Sequence, residues 1–249
     1  MAVSLTKVRD EAPHLVSLVK ETNRIVTGLG VDLSVDKAAV IAVIDDSGSA
    51  QPLFKSGEIQ RVADLSFAAG LAFDDDGSMP VSFFNNYVQD LGEITLSNCS
   101  GFIAKQKPQW GGTSYVSALK WIIGQAGYSN VDLGKSGGGL FGGKLSAKAH
   151  AEYPTFAIFI TDGEPGDGPA ASELLKLMSQ LPIFVQFIGV GPARFPYLEK
   201  LDDLKGRFID NAGFFDAKKA KGDQTAMLQG LLNEFPDYLK KAKSAGLIG

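Results

Sequence analysis

Short runs that are apolar at almost every position alternate with longer amphipathic segments along this chain. The run that ends at Ile44 is rich in β-branched residues and stops abruptly at polar ones, which is typical of a strand buried on both faces of a sheet. Further strands are predicted at residues 79–84, 155–160, 182–190 and, as a short last strand, 207–210. Residues 91–96 are expected to pair with a neighbour as a short antiparallel edge strand.

Segments with apolar residues three and four positions apart predict helices between these strands. They lie at residues 10–26, 58–73, 114–125, 170–180 and 224–243. Pro13 fits the first turn of the first helix, whereas Pro236 should kink or split the last one. The alternation predicts an α/β fold with a doubly wound, mostly parallel central sheet, one short antiparallel edge strand and helices on both faces.

The length of 249 residues fits one large α/β domain. We expect an N-terminal helical extension over residues 1–35, the main domain over residues 36–216, and a C-terminal helix over residues 217–249 that completes the same domain. A glycine-rich stretch at residues 134–143 is expected to form a flexible loop. Its Gly-Lys-Ser is not a phosphate-binding P-loop, because Ser129 stands where that motif requires its leading glycine.

Composition and charge argue against several classes of function. The chain has 24 basic and 28 acidic residues, so no basic excess indicates nucleic acid or an anionic membrane surface as a partner. No apolar run approaches the ~20 residues of a membrane span and no signal peptide is recognisable, so we expect no stable membrane insertion and a cytoplasmic location. The single cysteine, Cys99, excludes an intramolecular disulfide, and because no histidine is near it in the sequence we expect a buried or half-buried thiol rather than a nucleophile.

Oxygen-bearing side chains follow two of the predicted buried strands. Asp45, Ser47 and Ser49 stand at alternate positions after the first, and Asp162 comes after the second. Thr113 follows two glycines just before a predicted helix. Because ligands bind at the carboxyl ends of strands in open α/β sheets, these hard oxygen donors predict a divalent cation such as Mg²⁺ at that edge.

The same residues also have ordinary structural explanations. Ser47 and Ser49 are able to bond backbone groups in a turn, Thr113 to cap its helix, and Asp162 to form an Asx-turn before Gly163. The agreement of three separate loops favours the cation site over this alternative.

The three segments, in this order, resemble the von Willebrand factor A (VWA) domain family. The matching residues are Asp45-x-Ser47-x-Ser49, Thr113 in Gly-Gly-Thr-Ser, and Asp162 in Ile-Thr-Asp-Gly. They correspond to the three loops of that family's metal-ion-dependent adhesion site (MIDAS). The resemblance covers roughly residues 36–216.

A narrower resemblance comes from the amino-acid sequence of residues 57–61, 73–80 and 83–84. These segments are similar to the A domains of bacterial tellurium-resistance and related stress proteins. Ala50 departs from the family, in which many members have methionine, but that position is not a metal ligand. The N-terminal helix lies outside the match.

The resemblance implies that Ser47, Ser49 and Thr113 touch the ion through their hydroxyls, while Asp45 and Asp162 act mainly through bound water. The implied ion is Mg²⁺, with Mn²⁺ or Ca²⁺ as alternatives. One coordination position would stay open for an acidic residue of a protein partner. The implied function is a cation-dependent protein-binding module in a bacterial stress or tellurite-type toxic-anion resistance system.

Three residues near the predicted ligands are candidates for the rim of a partner-binding surface. Trp110 and Tyr115 flank Thr113, and Glu164 follows Asp162. For Trp110, burial is at least as good an expectation as a place on the rim. For Glu164, a position in a solvated loop is an equally good expectation.

The main alternative function is a Mg²⁺-dependent phosphohydrolase with Asp45 as nucleophile. The haloacid-dehalogenase-like pattern needs a second aspartate two residues later, where this chain has Ser47, and no general-base histidine lies in the three loops. A dinucleotide-binding domain is disfavoured because the loop after the first strand lacks Gly-x-Gly-x-x-Gly. We therefore predict no catalytic residue, and the sequence leaves the oligomeric state open.

Overall fold

The computed structural model describes residues 3–74, 76–129 and 149–249 of the chain. The glycine-rich loop predicted at residues 134–143 lies outside the described residues. Six strands in the described ranges form one sheet: β1 (Ala39–Asp45), β2 (Ser78–Phe84), β3 (Val88–Thr95), β4 (Thr155–Thr161), β5 (Ile183–Gly189) and β6 (Ala212–Asp216). Their order is β3-β2-β1-β4-β5-β6, and all neighbours are parallel except β2 and β3. The predicted fold class is confirmed.

Helices cover both faces of this sheet. Those in the described ranges are α1 (Leu5–Glu11), α2 (Val16–Gly28), α3 (Gln51–Lys55), α4 (Glu58–Phe73), α5 (Tyr115–Gln125), α6 (Gly168–Met178), α7 (Pro196–Asp202), α8 (Gln224–Leu232) and α9 (Phe235–Ala245). None of these helices has both the length and the apolar character that crossing a membrane requires.

The side chains of β1 divide between two cores because successive residues of a strand point to opposite faces. Val40 and Ile44 pack in the larger core with α1, α2, α4, α8 and α9. Ile41 and Val43 pack in the other core with α5, α6 and α7. The predicted N-terminal extension thus contributes to the same core as the C-terminal helices, while the division of the chain into three parts stays a prediction.

Two predicted elements differ from the structure. The single helix expected at residues 10–26 is wrong, because the backbone breaks at Ala12 (φ −140°, ψ 61°) and Pro13 opens a 3₁₀ turn between α1 and α2. The last strand expected at residues 207–210 is also wrong, and β6 follows it instead. By contrast, α8 ends at Leu232 and α9 begins at Phe235 with Pro236 in its first turn, which confirms the predicted split.

The strand order reverses between β1 and β4. These two strands are paired in register, with Ile44 beside Ile160, so that Asp45 and Thr161 end side by side. In open α/β sheets such a reversal opens a crevice outside the carboxyl ends of the strands. The fold therefore places the first and third predicted loops next to each other.

Candidate metal centre

Asp45 is fixed at the bottom of this crevice. Its carboxylate is almost fully buried, with 1% of the residue exposed. Oδ1 accepts from the Ser47 backbone N–H (2.8 Å) and Oδ2 accepts from the Thr161 hydroxyl (2.7 Å). Burial raises the pKa of Asp45 to about 6, against the opposing effect of the Thr161 and Ser47 hydrogen bonds. This carboxylate is oriented by the protein and shielded from direct contact with solvent.

Three side-chain oxygens from two loops converge above Asp45. The hydroxyls of Ser47 and Ser49 lie 3.1 Å apart. Asp162 Oδ1 accepts from Ser49 Oγ (3.2 Å) and from Ser47 Oγ (3.4 Å). Burial raises the pKa of Asp162, while the two serine hydroxyls lower it. We call these three oxygens the oxygen triangle.

Thr113 reaches the same edge on a loop that lies between the other two. Gly48 N donates to Gly111 O (3.0 Å), and Ser47 forms a parallel β-bridge with Gly111. On the other side, Gly166 N donates to the carbonyl of Thr113 (2.9 Å). These backbone contacts hold the Thr113 loop between the two loops that carry the triangle.

The two glycines before Thr113 are required by the close approach of the β2–β3 turn. A Cβ on Gly111 would lie 2.8 Å from Asn85 side-chain atoms, and one on Gly112 would lie 2.5 Å from Asn86 Oδ1. Asn85 N accordingly pairs with Tyr87 O across the turn (2.9 Å). The role of the two glycines is therefore to admit this neighbouring turn.

The three predicted rim residues have different environments. Trp110 is partly exposed, adopts a positive φ of 55°, and packs edge-to-face on Phe54 at 5.3 Å between ring centroids. Glu164 is exposed, and its Oε1 accepts from Tyr197 N (3.0 Å). Both lie where a partner could contact them.

Tyr115 does not lie on the rim. It is fully buried, and its hydroxyl donates to Gly163 O (2.7 Å) and lies 3.2 Å from Thr161 Oγ1. Because Tyr115 begins α5 on the side that faces the sheet, it supports the third loop from below. This corrects the surface role expected from the sequence.

Sequence reasoning missed two residues of this region. Thr161, the last residue of β4, orients Asp45, and its place directly before Asp162 was the available signal. Tyr87 stands in the turn next to Gly111 and is 76% exposed, the most exposed large apolar residue among those described. An aromatic residue in a polar turn was the signal for it.

The donor set consists mainly of hydroxyls. Within the described ranges, no three histidine, cysteine, aspartate or glutamate side chains form a metal-binding group. The predicted ligand set has two carboxylates, from Asp45 and Asp162, and its other members are alcohols. Such hard, largely neutral oxygens suit Mg²⁺, Mn²⁺ or Ca²⁺ better than the soft ions that thiolates select.

Cys99 is buried, as predicted, and forms no disulfide. His14, which is distant in the sequence, lies close in space, with its Nε2 3.9 Å from Cys99 Sγ. Burial and the charge of Asp64 raise the pKa of the thiol. This environment favours the protonated thiol and disfavours a nucleophilic role.

Comparisons with known proteins agree with this architecture. Residues 37–133 and 142–248 match the vWA-TerF-like family, described as the vWA found in the TerF C terminus. The uncharacterized protein YcbR of Bacillus subtilis (strain 168) is 28% identical over 218 residues, which cover 85% of this chain and 81% of YcbR.

Among solved structures, proximal thread matrix protein 1 from the mussel byssus has a TM-score of 0.51 at 18% identity, over 79% of this chain and 47% of that protein. A second structure of it, with a zinc-occupied MIDAS motif, has a TM-score of 0.50 at 19% identity over the same shares. This chain spans about half the length of the mussel protein, and the likeness shows a common fold. Because the family match covers well over half of the residues, the chain belongs to the vWA-TerF-like family of VWA domains.

Proposed function

We propose that this protein is a divalent-cation-dependent protein-binding module. Asp45, Ser47, Ser49, Thr113 and Asp162 would hold the ion, with Mg²⁺ as the first choice and Mn²⁺ or Ca²⁺ as alternatives. An acidic residue of a protein partner would complete its coordination. The observation that carries the proposal is the oxygen triangle at the strand-order reversal.

The size of the triangle supports this assignment. Its edges are 3.1, 3.2 and 3.4 Å. Neighbouring oxygens of an octahedral ion with ligands at about 2.1 Å lie about 3 Å apart, and a larger ion separates them slightly more. The Ser47 and Ser49 hydroxyls therefore need little movement to share one ion, and Asp162 lies close enough to both of them to hold water bound to that ion.

The charges of the site also support a cation. The Asp162 charge contributes to the raised pKa of Asp45, so the two carboxylates repel each other. Hydroxyls and backbone N–H groups, rather than basic side chains, are the groups that lower the pKa values of these two residues. A divalent ion would supply the missing positive charge and lower the pKa of both groups.

The proposals for the partner and the biological setting rest on the similarity to other VWA proteins. The mussel protein with a zinc-occupied MIDAS has the same fold, and the family is defined on the C terminus of TerF. We propose that the protein acts in the cytoplasm in a bacterial stress or tellurite-type toxic-anion response. One charge-assisted contact contributes about 1.5–3 kcal/mol, so residues such as Trp110 and Glu164 would add the wider contact that binding requires.

The geometry disfavours the phosphohydrolase alternative. Asp45 is held with Oδ1 on the Ser47 backbone N–H and Oδ2 on the Thr161 hydroxyl, so neither oxygen is free to turn toward a substrate without losing a hydrogen bond. With 1% of the residue exposed, its approach to a phosphoryl group is blocked.

Metal addition to purified protein tests the ion site. Mg²⁺ or Mn²⁺ should raise the melting temperature, because an ion that binds the folded state at 100 times its Kd stabilises it by about 2.7 kcal/mol. Asp162→Ala should abolish most of this shift and still melt cooperatively. Asp237→Ala, at an exposed aspartate of α9, is the matched control and should respond like the wild type. A wild-type melting curve that millimolar metal leaves unchanged would overturn the proposal.

Affinity capture of partners with and without EDTA tests the binding role. Partners should be lost in EDTA and should also be lost by Asp162→Ala in Mg²⁺. Retention of the same partners under both conditions would mean that their binding does not use the ion.

A further inference from the structure

The loop that carries Thr113 is held at its end by a carboxylate from the third loop. Asp167 Oδ2 accepts from Ser114 Oγ (2.7 Å) and from Val116 N (3.1 Å), and its Oδ1 accepts from Tyr115 N (3.0 Å). Three donors of the first turn of α5 therefore converge on one side chain that lies some fifty residues further along the chain.

Asp167 does not cap the helix that its position in the sequence would suggest. It stands at the N-cap position of α6, yet its side chain makes no cap bond with that helix. An aspartate at such a position ordinarily accepts from the N–H groups of its own helix. Here the carboxylate instead accepts from the start of α5, whose N-cap Ser114 directly follows Thr113.

The beginning of the same loop is held by a carboxylate from the first loop. Asp46 is fully buried, and its Oδ2 accepts from Gln109 N (2.7 Å). Its Oδ1 accepts from Asn85 Nδ2 (2.9 Å), which connects the loop to the β2–β3 turn. Burying a carboxylate is unfavourable unless its hydrogen bonds are satisfied, so this arrangement is specific.

We propose that Asp46 and Asp167 are positioning residues that together fix Thr113 beside the oxygen triangle. Neither is assigned as a metal ligand. Each belongs to a loop that supplies proposed ligands, Asp46 to that of Ser47 and Asp167 to that of Asp162. They therefore connect the Thr113 loop to the Ser47 loop on one side and to the Asp162 loop on the other. This inference rests on the proposed function, because it concerns affinity for the same ion.

Mn²⁺ titration of purified Asp167→Asn, followed by calorimetry, tests the inference. Asparagine has the same shape, but its amide NH₂ cannot accept from both Ser114 and Val116. Groups that orient metal ligands typically change metal affinity about 10–100-fold, and we expect a loss in this range. Asp46→Asn should give a similar loss from the other end of the loop, and it replaces Asp167→Asn if that variant does not fold.

A second measurement separates positioning from general stability. In EDTA, the amide hydrogens of Tyr115 and Val116 should exchange faster in Asp167→Asn than in the wild type. Asp223→Asn is the matched control, since Asp223 caps α8 by accepting from Ala226 N (2.8 Å) and lies outside the three loops that carry the proposed ligands. It should cost similar stability and leave Mn²⁺ affinity unchanged.

The outcomes are distinct. Wild-type protein that binds Mn²⁺ while folded Asp167→Asn and Asp46→Asn bind it equally well would overturn this inference and leave the proposed function standing. An equal loss of affinity in Asp223→Asn would also overturn it. Wild-type protein that binds no Mn²⁺ would overturn the proposed function and this inference with it.

Discussion

Thr161→Val tests how the protein orients Asp45. The Thr161 hydroxyl donates to Asp45 Oδ2 over 2.7 Å and accepts from Gly163 N at 3.3 Å. Valine has nearly the same shape, so the substitution removes the hydroxyl and leaves no cavity. The hydroxyl of Tyr115 keeps its acceptor, Gly163 O, at 2.7 Å. The lost interaction is therefore chiefly the hydrogen bond to the buried carboxylate.

The pKa of Asp45 sets the size of the effect and its dependence on pH. Hydrogen bonds to charged groups contribute about 1.5–3 kcal/mol, and neutral ones about 0.5–1.5 kcal/mol. Burial raises the pKa from 3.8 to about 6, so the folded protein binds a proton between these values and the free energy of unfolding falls as pH rises from 4 to 6. Without the Thr161 hydroxyl the pKa rises further and the fall becomes larger. We expect Thr161→Val to cost about 2–3 kcal/mol at pH 8 and about 1 kcal/mol at pH 5.

Urea denaturation in EDTA at these two pH values measures the loss. Thr22→Val is the matched control, because Thr22 is fully buried in α2 and its hydroxyl has no hydrogen-bond partner among the described residues. That substitution should cost less than about 0.5 kcal/mol, since it removes no hydrogen bond. Equal losses for Thr161→Val at both pH values, or a loss no larger than that of Thr22→Val, would refute the role assigned to Thr161.

Two further substitutions test the parts of the fold that lie away from the triangle. Burial and the charges of Asp202 and Asp210 raise the pKa of Glu234 from 4.5 to about 7, so its ionisation destabilises the fold as pH rises through this range. Because Glu234 is only partly buried and solvent screens these charges, Glu234→Gln should stabilise by about 1–2 kcal/mol at pH 8 and have little effect at pH 4.5, as measured by urea denaturation. In β5, a Cβ on Gly189 would lie 2.7 Å from Phe195 ring atoms, so Gly189→Ala should lower the free energy of unfolding by about 1–3 kcal/mol in the same assay.

Each of these has a simple control. Asp237→Asn removes an exposed charge close to Glu234 in the sequence and should leave the pH profile unchanged. A Glu234→Gln profile parallel to that of the wild type would contradict the assigned pKa. For the glycine, Gly163→Ala meets no atom within 4 Å and should be tolerated, while a Gly189→Ala variant of wild-type stability would mean that Phe195 moves freely.

The regular parts of the fold follow from local patterns. Glu58–Phe73 is a helix with the predicted bounds, because small and apolar residues recur at helical spacing and Gly57 precedes it with a positive φ of 76°. The last strand is different. Residues 207–210 contain an aromatic and a β-branched residue and so favour a strand. In the structure, Arg207 instead donates to the carbonyls of Leu204 (2.7 Å) and Asp202 (2.6 Å) after α7.

The strand that replaces it begins with residues of low strand propensity. Within β6, position 213 requires glycine because Gln186 and Glu234 atoms lie within 2.9 Å of where a Cβ would be. Only the tertiary structure shows this requirement, so local propensity could not have found the strand.

The candidate site also contains residues that the sequence could place and residues that only tertiary contacts reveal. Asp45, Ser47, Ser49 and Asp162 could be placed together because strands that end in a parallel sheet share one edge. The burial of Tyr115 could not be anticipated, since it depends on which side of α5 faces the sheet. The roles of Asp46 and Asp167 in holding the Thr113 loop could not be anticipated either, because they depend on contacts between loops far apart in the chain.

Crystals grown with Mn²⁺ test the central claim most directly, because anomalous scattering locates the ion without assumptions about its ligands. We predict one strong anomalous peak at the carboxyl edge of β1 and β4, about 2–2.5 Å from the hydroxyls of Ser47 and Ser49. A peak bound elsewhere, or none at this edge in crystals that contain millimolar Mn²⁺, would contradict the account.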